Sequence, residues 1–137
     1  MGELSNRQVH ARYNDLEMEC PFCHPAQSVL QNKLAFAIYD RSPVSPGHLL
    51  ILPFRHAETY FQATTAEKFA LWELLDQGKL ILHKKYHPDG YNIGINSGPA
   101  AGQTVMHLHI HLIPRYKGDL EDPRGGVRGV IPDKRIY

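Results

Sequence analysis

The chain has 137 residues, 42% of them hydrophobic and 21% charged, with a formal charge of +1. That length is one ordinary domain, able to bury roughly two thirds of the surface its unfolded chain exposes. The near-neutral balance gives no electrostatic case for binding nucleic acid or a membrane surface. No apolar run approaches about 18 residues, and no charged segment followed by a short apolar one opens the chain, so the expectation is a soluble cytoplasmic protein.

Residues 1–19 are polar and mixed in charge, consistent with a short helix or an arm. Cys20-Pro-Phe-Cys23 follows in a loop punctuated by Pro21 and Pro25. Val29–Gln31 and Leu34–Tyr39 read as a hairpin turning at Asn32-Lys33. Asp40 to Gly47 is loop by composition. His48-Leu-Leu-Ile-Leu-Pro53 is the next strand, and Arg55 and His56 lie just past its end. Thr64-Thr-Ala-Glu67 reads as a capping box opening a helix from about Thr65 to Tyr86. The apolar stripe of that helix is read as Phe69, Trp72, Leu75 and Leu80, with Leu71, Leu74 and Leu82 beside it. His87-Pro88-Asp89-Gly90 ends it. Tyr91–Asn96 is a short strand, residues 97–102 are a loop of small residues, and Thr104–Pro114 is read as the longest strand. From 115 to 137 the chain is rich in Gly, Pro and charge. Six basic residues (Arg115, Lys117, Arg124, Arg128, Lys134, Arg135) stand there against four acidic ones.

With no repeat and no linker, this is a single domain over 1–137, with 1–19 and 119–137 outside the core. The order β-β-β-α-β-β predicts an α+β two-layer fold. About five antiparallel strands form the sheet, and one long helix packs on it.

The stretch that organises the chain is His107-Leu-His109-Ile-His111-Leu-Ile113. A strand sends alternate side chains to opposite faces, so three imidazoles share one face and Leu108, Ile110 and Leu112 share the other. A rise of roughly 3.3 Å per residue puts His107 and His111 about 13 Å apart, too far to share one ion comfortably. The three rings therefore have different jobs. A neutral imidazole attacks phosphorus well, provided a hydrogen bond at its other nitrogen holds the tautomer. His109, flanked by a histidine on either side, is the candidate nucleophile. Gly98 to Thr104 precedes the triad, and Gln103 and Thr104 offer donors to a phosphate.

Cys20 and Cys23 have the spacing of a redox pair or of half a metal site. Two imidazole nitrogens would complete a tetrahedral site, and His56 and His107 are candidates. His24 is nearer in sequence but directly adjacent to Cys23, which makes simultaneous ligation awkward. Two reduced, buried cysteines remain the alternative.

These residues resemble the histidine triad (HIT) superfamily. His107–Ile113 fits its His-φ-His-φ-His-φ-φ signature in full, Ser45-Pro-Gly-His48-Leu-Leu-Ile-Leu-Pro53 its Pro-Gly-His strand, and Ala101-Gly-Gln-Thr-Val105 its lead-in to the triad. Gln103-Thr-Val105 and Ile113-Pro-Arg-Tyr-Lys-Gly-Asp119 resemble the fragile-histidine-triad side and the bacterial dinucleoside-polyphosphate hydrolases. The likeness covers roughly residues 20–118.

The resemblance implies a homodimeric nucleotide hydrolase or transferase. Its substrates would be dinucleoside polyphosphates such as diadenosine tetraphosphate, cleaved at the α-phosphate through a nucleotidyl-histidine. It implies His109 as nucleophile, His111 on the phosphate and His48 as their support. It places Asp40 on the ribose, Asn96 on phosphate or leaving group, and Gln103 and Thr104 as donors. By analogy with zinc-bearing members it implies a structural zinc on Cys20, Cys23, His56 and His107, and no organic cofactor. Alternatives are a nucleotide-binding sensor module with incidental turnover, or hydrolysis of nucleoside phosphoramidates or adenylyl sulfate. The tail at 125–132 has no counterpart; its arginine, Arg128, either reaches a polyphosphate or belongs to a solvated or dimer-packing arm.

Overall fold

The computed structural model describes residues 20–24 and 27–137. The segment 1–19, read as a helix or an arm, lies outside the described residues. Strands β1 (Leu30–Gln31) and β2 (Ala35–Tyr39) form the predicted hairpin. Asn32 makes its turn: Oδ1 accepts the amides of Leu34 and Ala35 at 3.1 and 2.8 Å. A short amide side chain that reaches its own backbone favours a turn at that position. Strand β3 (Leu49–Pro53) returns antiparallel to β2, with Leu49 opposite Tyr39. Helix α1 (Thr65–Tyr86) follows, then β4 (Gly90–Ile95) and β5 (Ile110–Arg115). The sheet order is β1-β2-β3-β5-β4, and every pairing is antiparallel. The last strand thus inserts between β3 and β4, and its residues are held from both sides.

Helix α1 has the predicted bounds and cap. Thr64 Oγ1 accepts from the Glu67 amide at 3.1 Å, and Glu67 Oε1 accepts from the Thr64 amide at 2.9 Å. Arg55 also donates to the Glu67 carboxylate, with a shortest contact of 2.8 Å. Burial alone would raise the Glu67 pKa, but these donors outweigh it and hold the carboxyl below its ordinary value.

The buried stripe of the helix keeps Leu71, Leu74, Leu75 and Leu82 of the one read from sequence, but not Phe69, Trp72 or Leu80. It consists of Glu67, Ala70, Leu71, Leu74, Leu75, Gly78 and Leu82. Phe69 and Leu80 point away from the sheet, 74% and 63% exposed. They are eleven residues apart, about three full turns, so they share a face with each other and oppose Leu71 and Leu82. Gly78 lets the helix approach the sheet: a Cβ there would stand 3.1 Å from Leu49 Cδ1. Leu71, Leu74 and Leu82 are fully buried, each contributing about 1.5–3 kcal/mol relative to exposure.

The sheet has two different faces. The helix side carries the main core, including Ala35, Ala37, Leu49, Ile51, Leu108, Ile110 and Leu112. The other side carries a small cluster of Phe36, Leu50 and Leu52, joined by Phe22 and Ile38. That second face is where the histidines stand.

The triad strand is shorter than predicted. It begins at Ile110, so His107 and His109 lie in the segment leading into it. The ladder with β3 runs through Ile51 opposite Ile110 and stops. Pro53, near the end of β3, has no N–H to continue it. Its carbonyl oxygen instead accepts from His107 Nε2 at 2.9 Å. The Leu108 amide donates beyond the strand, to Ala57 O at 2.7 Å. The alternation nevertheless persists outside the ladder, since Leu108 is buried with Ile110 and Leu112 on the helix side.

Candidate active site and metal-ligand cluster

The site is assembled by backbone acceptors and donors that fix which nitrogen of each imidazole carries a proton. A carbonyl oxygen can only accept, and a backbone amide can only donate. His109 Nδ1 lies 2.8 Å from His107 O, so Nδ1 bears the proton and Nε2 keeps a lone pair. The sequence reading expected neighbouring histidines to order His109. The structure gives that task to the peptide carbonyl two residues earlier.

His48 is set in the opposite sense. The Val44 amide donates to its Nδ1 at 3.1 Å, which leaves the proton on Nε2. Nε2 lies 2.9 Å from His111 Nδ1 and therefore donates to it. In neutral His111 the proton is then on Nε2. The rings of His109 and His111 are 5.0 Å apart, centroid to centroid. The two neighbouring rings thus carry complementary tautomers, a lone pair on His109 Nε2 and an N–H on His111 Nε2.

Asp40 Oδ2 is 3.5 Å from His48 Nε2, which places Asp40, His48 and His111 in a second polar cluster. It is a poor metal site. Binding an ion at His48 Nε2 would need the lone pair there, and with it the loss of the Val44 hydrogen bond. The proton arrangement favours a relay.

Burial pushes His111 down to about 4, and its neighbours His109 and His48 add to the effect. Burial likewise lowers His48, against the opposing pull of Asp40. Both rings are neutral at physiological pH, as the tautomer chain requires.

His107 has turned to another task. It is fully buried, and burial pushes it down to about 4. Its Nε2 proton is committed to Pro53 O, so Nδ1 offers a lone pair. That atom lies 3.4 Å from Cys20 Sγ and 3.5 Å from Cys23 Sγ. Cys23 Sγ lies 3.2 Å from His56 Nδ1. All four ligand atoms fall within 4.8 Å of one another. Tetrahedral zinc, with bonds of about 2.3 Å to sulfur and 2.0 Å to nitrogen, separates neighbouring S and N ligands by about 3.5 Å. The donor set and its spacing fit that ion. The carbonyl behind His107 orients the ring as a second contact to a metal ligand should.

A cleft of about 570 Å³ opens on this face, lined by Phe22, Tyr39, Asp40, Leu50 and Val105 among others. Leu50 is the register partner of His111. Asn96 follows Ile95, which is paired with Ile110, and so lies beside the backbone that carries His109. Thr104 is exposed and lines a smaller depression of about 260 Å³ with Cys20, His56 and Glu58.

Gln103 is held within its own loop and against Glu58. It is 5% exposed, and its Nε2 donates to Glu58 O and Val105 O at 2.6 and 3.1 Å. Its Oε1 accepts from the Gly98 amide at 2.8 Å. With the amide engaged in this way, Gln103 braces the loop before the triad, and contact with phosphate would require breaking one of those bonds. The tail arginines are engaged as well. Arg124 pairs with Asp122, Arg128 lies over the Tyr137 ring, and Arg135 donates to Asp122 O and Arg124 O.

The segment that carries the triad and His48 is matched by a family model. The HIT domain model covers residues 23–118. The chain belongs to the HIT family. Among relatives of this HIT protein, the bis(5'-adenosyl)-triphosphatase of Dictyostelium discoideum is 38% identical over 90 residues, covering 66% of this chain and 60% of that one. The AP-4-A phosphorylase of Mycobacterium tuberculosis is 33% identical over 92 residues, 66% of this chain. The match spans about half of that relative's length, 47%. A zinc-bound histidine triad family protein from Mycobacterium smegmatis superposes with a TM-score of 0.70 at 30% identity, over 77% of this chain and 81% of that one.

Besides the His107 carbonyl, sequence reasoning missed the Val44 amide, the Pro53 carbonyl and the Phe22 ring. The first two are backbone groups that carry no side-chain signal. Phe22 stood in plain view, between the two cysteines.

Proposed function

We propose that this HIT protein cleaves dinucleoside polyphosphates at the α-phosphate through a nucleotidyl-histidine intermediate. The observation that carries the reading is the His109 tautomer: Nδ1–H is held by His107 O, so in the neutral ring Nε2 carries the lone pair. His109 Nε2 attacks the α-phosphorus. The P–N bond forms as the P–O bond to the departing nucleotide breaks. His111 Nε2–H, aligned through His48, donates toward the phosphoryl oxygens as charge grows there, and a histidine or water protonates the leaving oxygen. Water then breaks the P–N bond and restores His109. Asp40, on the cleft wall, suits the ribose hydroxyls, while Asn96, just past β4, and Thr104, in the lead-in to the triad, suit the phosphates. The curated names of the Dictyostelium and mycobacterial relatives support this substrate class.

The same reading assigns zinc to Cys20, Cys23, His56 and His107. When bound, the ion supplies a crosslink between the segment before β1 and the start of the triad. The protein itself supplies the nucleophile and the donors. A homodimer is supported by the outward-facing Phe69 and Leu80 on α1 and by Ile93 on edge strand β4. A reduced pair of cysteines within a metal-ligand cluster fits a reducing compartment such as the cytoplasm. Among the described residues no helix is long and apolar enough to cross a membrane.

The test is trapping. The protein is incubated with α-labelled diadenosine tetraphosphate, quenched in base, and the labelled peptide located by mass. Adenylyl on His109 is the expected result. Turnover with no labelled histidine would overturn the mechanism, and an absence of turnover across diadenosine polyphosphates would overturn the substrate assignment.

A further inference from the structure

Phe22 occupies a singular place. The Cys23 amide donates to Cys20 O at 3.2 Å, so Cys20–Cys23 is a tight turn with Pro21 and Phe22 at its centre. The two cysteines aim at the metal-ligand cluster, and the ring between them aims at the triad. Its centroid lies 5.2 Å from that of His109, at an interplanar angle of 64°. It lies 6.2 Å from His107, at 86°. The Phe22 ring also packs on the Phe36, Leu50 and Leu52 cluster of the sheet.

The hydrogen bond from His109 Nδ1 to His107 O sets a tautomer, but one bond leaves the imidazole free to swing about it. The ring contacts with Phe22 and with His111 restrict that swing from two directions. Edge-to-face contact at this separation has a preferred geometry, which a shapeless aliphatic neighbour would not impose. We infer that Phe22 is a positioning residue for His109, and that the Cys20–Cys23 turn makes the orientation of the nucleophile depend on the metal-ligand cluster. This rests on the proposed role of His109, and it gives the cluster a task beyond crosslinking: it sets the aim of the attacking nitrogen.

A displacement of the reacting atom by about 1 Å can cost 10²-fold in rate. Phe22→Leu keeps apolar bulk in the cleft and on the Leu50 cluster but removes the flat ring. The expected result is a fall in kcat of about 10-fold or more on diadenosine polyphosphate, with KM changed less than about threefold and zinc content unchanged by elemental analysis. A second measurement does not depend on turnover. Long-range ¹H–¹⁵N spectra of the full-length wild type, stripped of metal and then titrated with zinc chloride, should show the His109 ring resonances shift and sharpen on loading. The Phe22→Leu variant should show a reduced response at His109.

A kcat retained within about twofold in Phe22→Leu, or His109 resonances indifferent to zinc in the wild type, would overturn the inference. If the wild type turns over no dinucleoside polyphosphate yet the His109 resonances follow zinc through Phe22, the substrate reading fails and the positional coupling stands.

Discussion

His48 Nε2 donates to His111 Nδ1 across 2.9 Å, and the direction of that bond is decided by the Val44 amide on the far side of the His48 ring. A backbone N–H therefore determines, through two imidazoles, that His111 presents a donor to the site. His48→Phe keeps a flat ring but leaves His111 Nδ1 without its donor. The expected outcome is a fall in kcat of about 10²-fold with KM little altered, measured by steady-state kinetics on diadenosine polyphosphates. A proportionate rise in KM alone would show His48 acting on binding instead.

His109→Ala removes the proposed nucleophile. Turnover should fall by at least about 10³-fold, while AMP binding by calorimetry and the far-UV circular dichroism spectrum stay close to wild type. Substantial residual activity would point to direct attack by water.

The Cys20, Cys23, His56 and His107 cluster should hold about one zinc per chain. A Cys20→Ser, Cys23→Ser double variant should lose that zinc and unfold about 10 °C or more below wild type in scanning calorimetry, since a metal that binds only the folded state stabilises it. Unchanged metal content in the double variant would remove the site from this chain.

His111 makes stability depend on pH with a definite sign. Its folded value is about 4 against 6.5 for the free side chain. Between those values the unfolded chain binds the proton and the folded one does not, so stability rises with pH across the window. The contribution is present in full above about 6.5 and lost as pH falls toward about 4. Urea midpoints should therefore drop between pH 7 and pH 5, and the drop should shrink in His111→Gln. Identical pH dependence in the two proteins would contradict the assignment.

Gly47 ends the loop before β3 with φ of +90°, and a Cβ there would stand 2.9 Å from the Tyr86 ring. Gly47→Ala should cost about 2 kcal/mol by combining backbone strain with that clash. Because Gly47 adjoins His48, activity should fall along with the urea midpoint. A neutral effect on stability would mean the loop can shift away from the helix.

Much of the architecture was legible because it follows from local periodicity. Alternation of histidine with aliphatic residues at 107–112 sorts two faces in any extended chain, whether or not a ladder forms there. The helix bounds were legible for a similar reason, since Thr64 and Glu67 close a cap with each other across three residues. The helix stripe was misread in part because Phe69 and Leu80 are apolar yet lie opposite the face that Gly78 brings against Leu49. Hydrophobicity alone cannot distinguish a core position from an outward apolar one.

The sequence by itself determined which residue types were available for chemistry: three spaced imidazoles, a pair of thiols and a histidine beyond β3. Only the tertiary structure decided what each does. The proton on His109 follows from a peptide carbonyl, that on His107 from Pro53 O across the end of β3, and that on His48 from an amide in the preceding loop. The Gln103 amide is engaged by Glu58 O, far away in sequence, and by Val105 O two residues on. Tautomers and hydrogen-bond commitments depend on which backbone groups folding brings within about 3 Å, and sequence spacing carries almost no record of that.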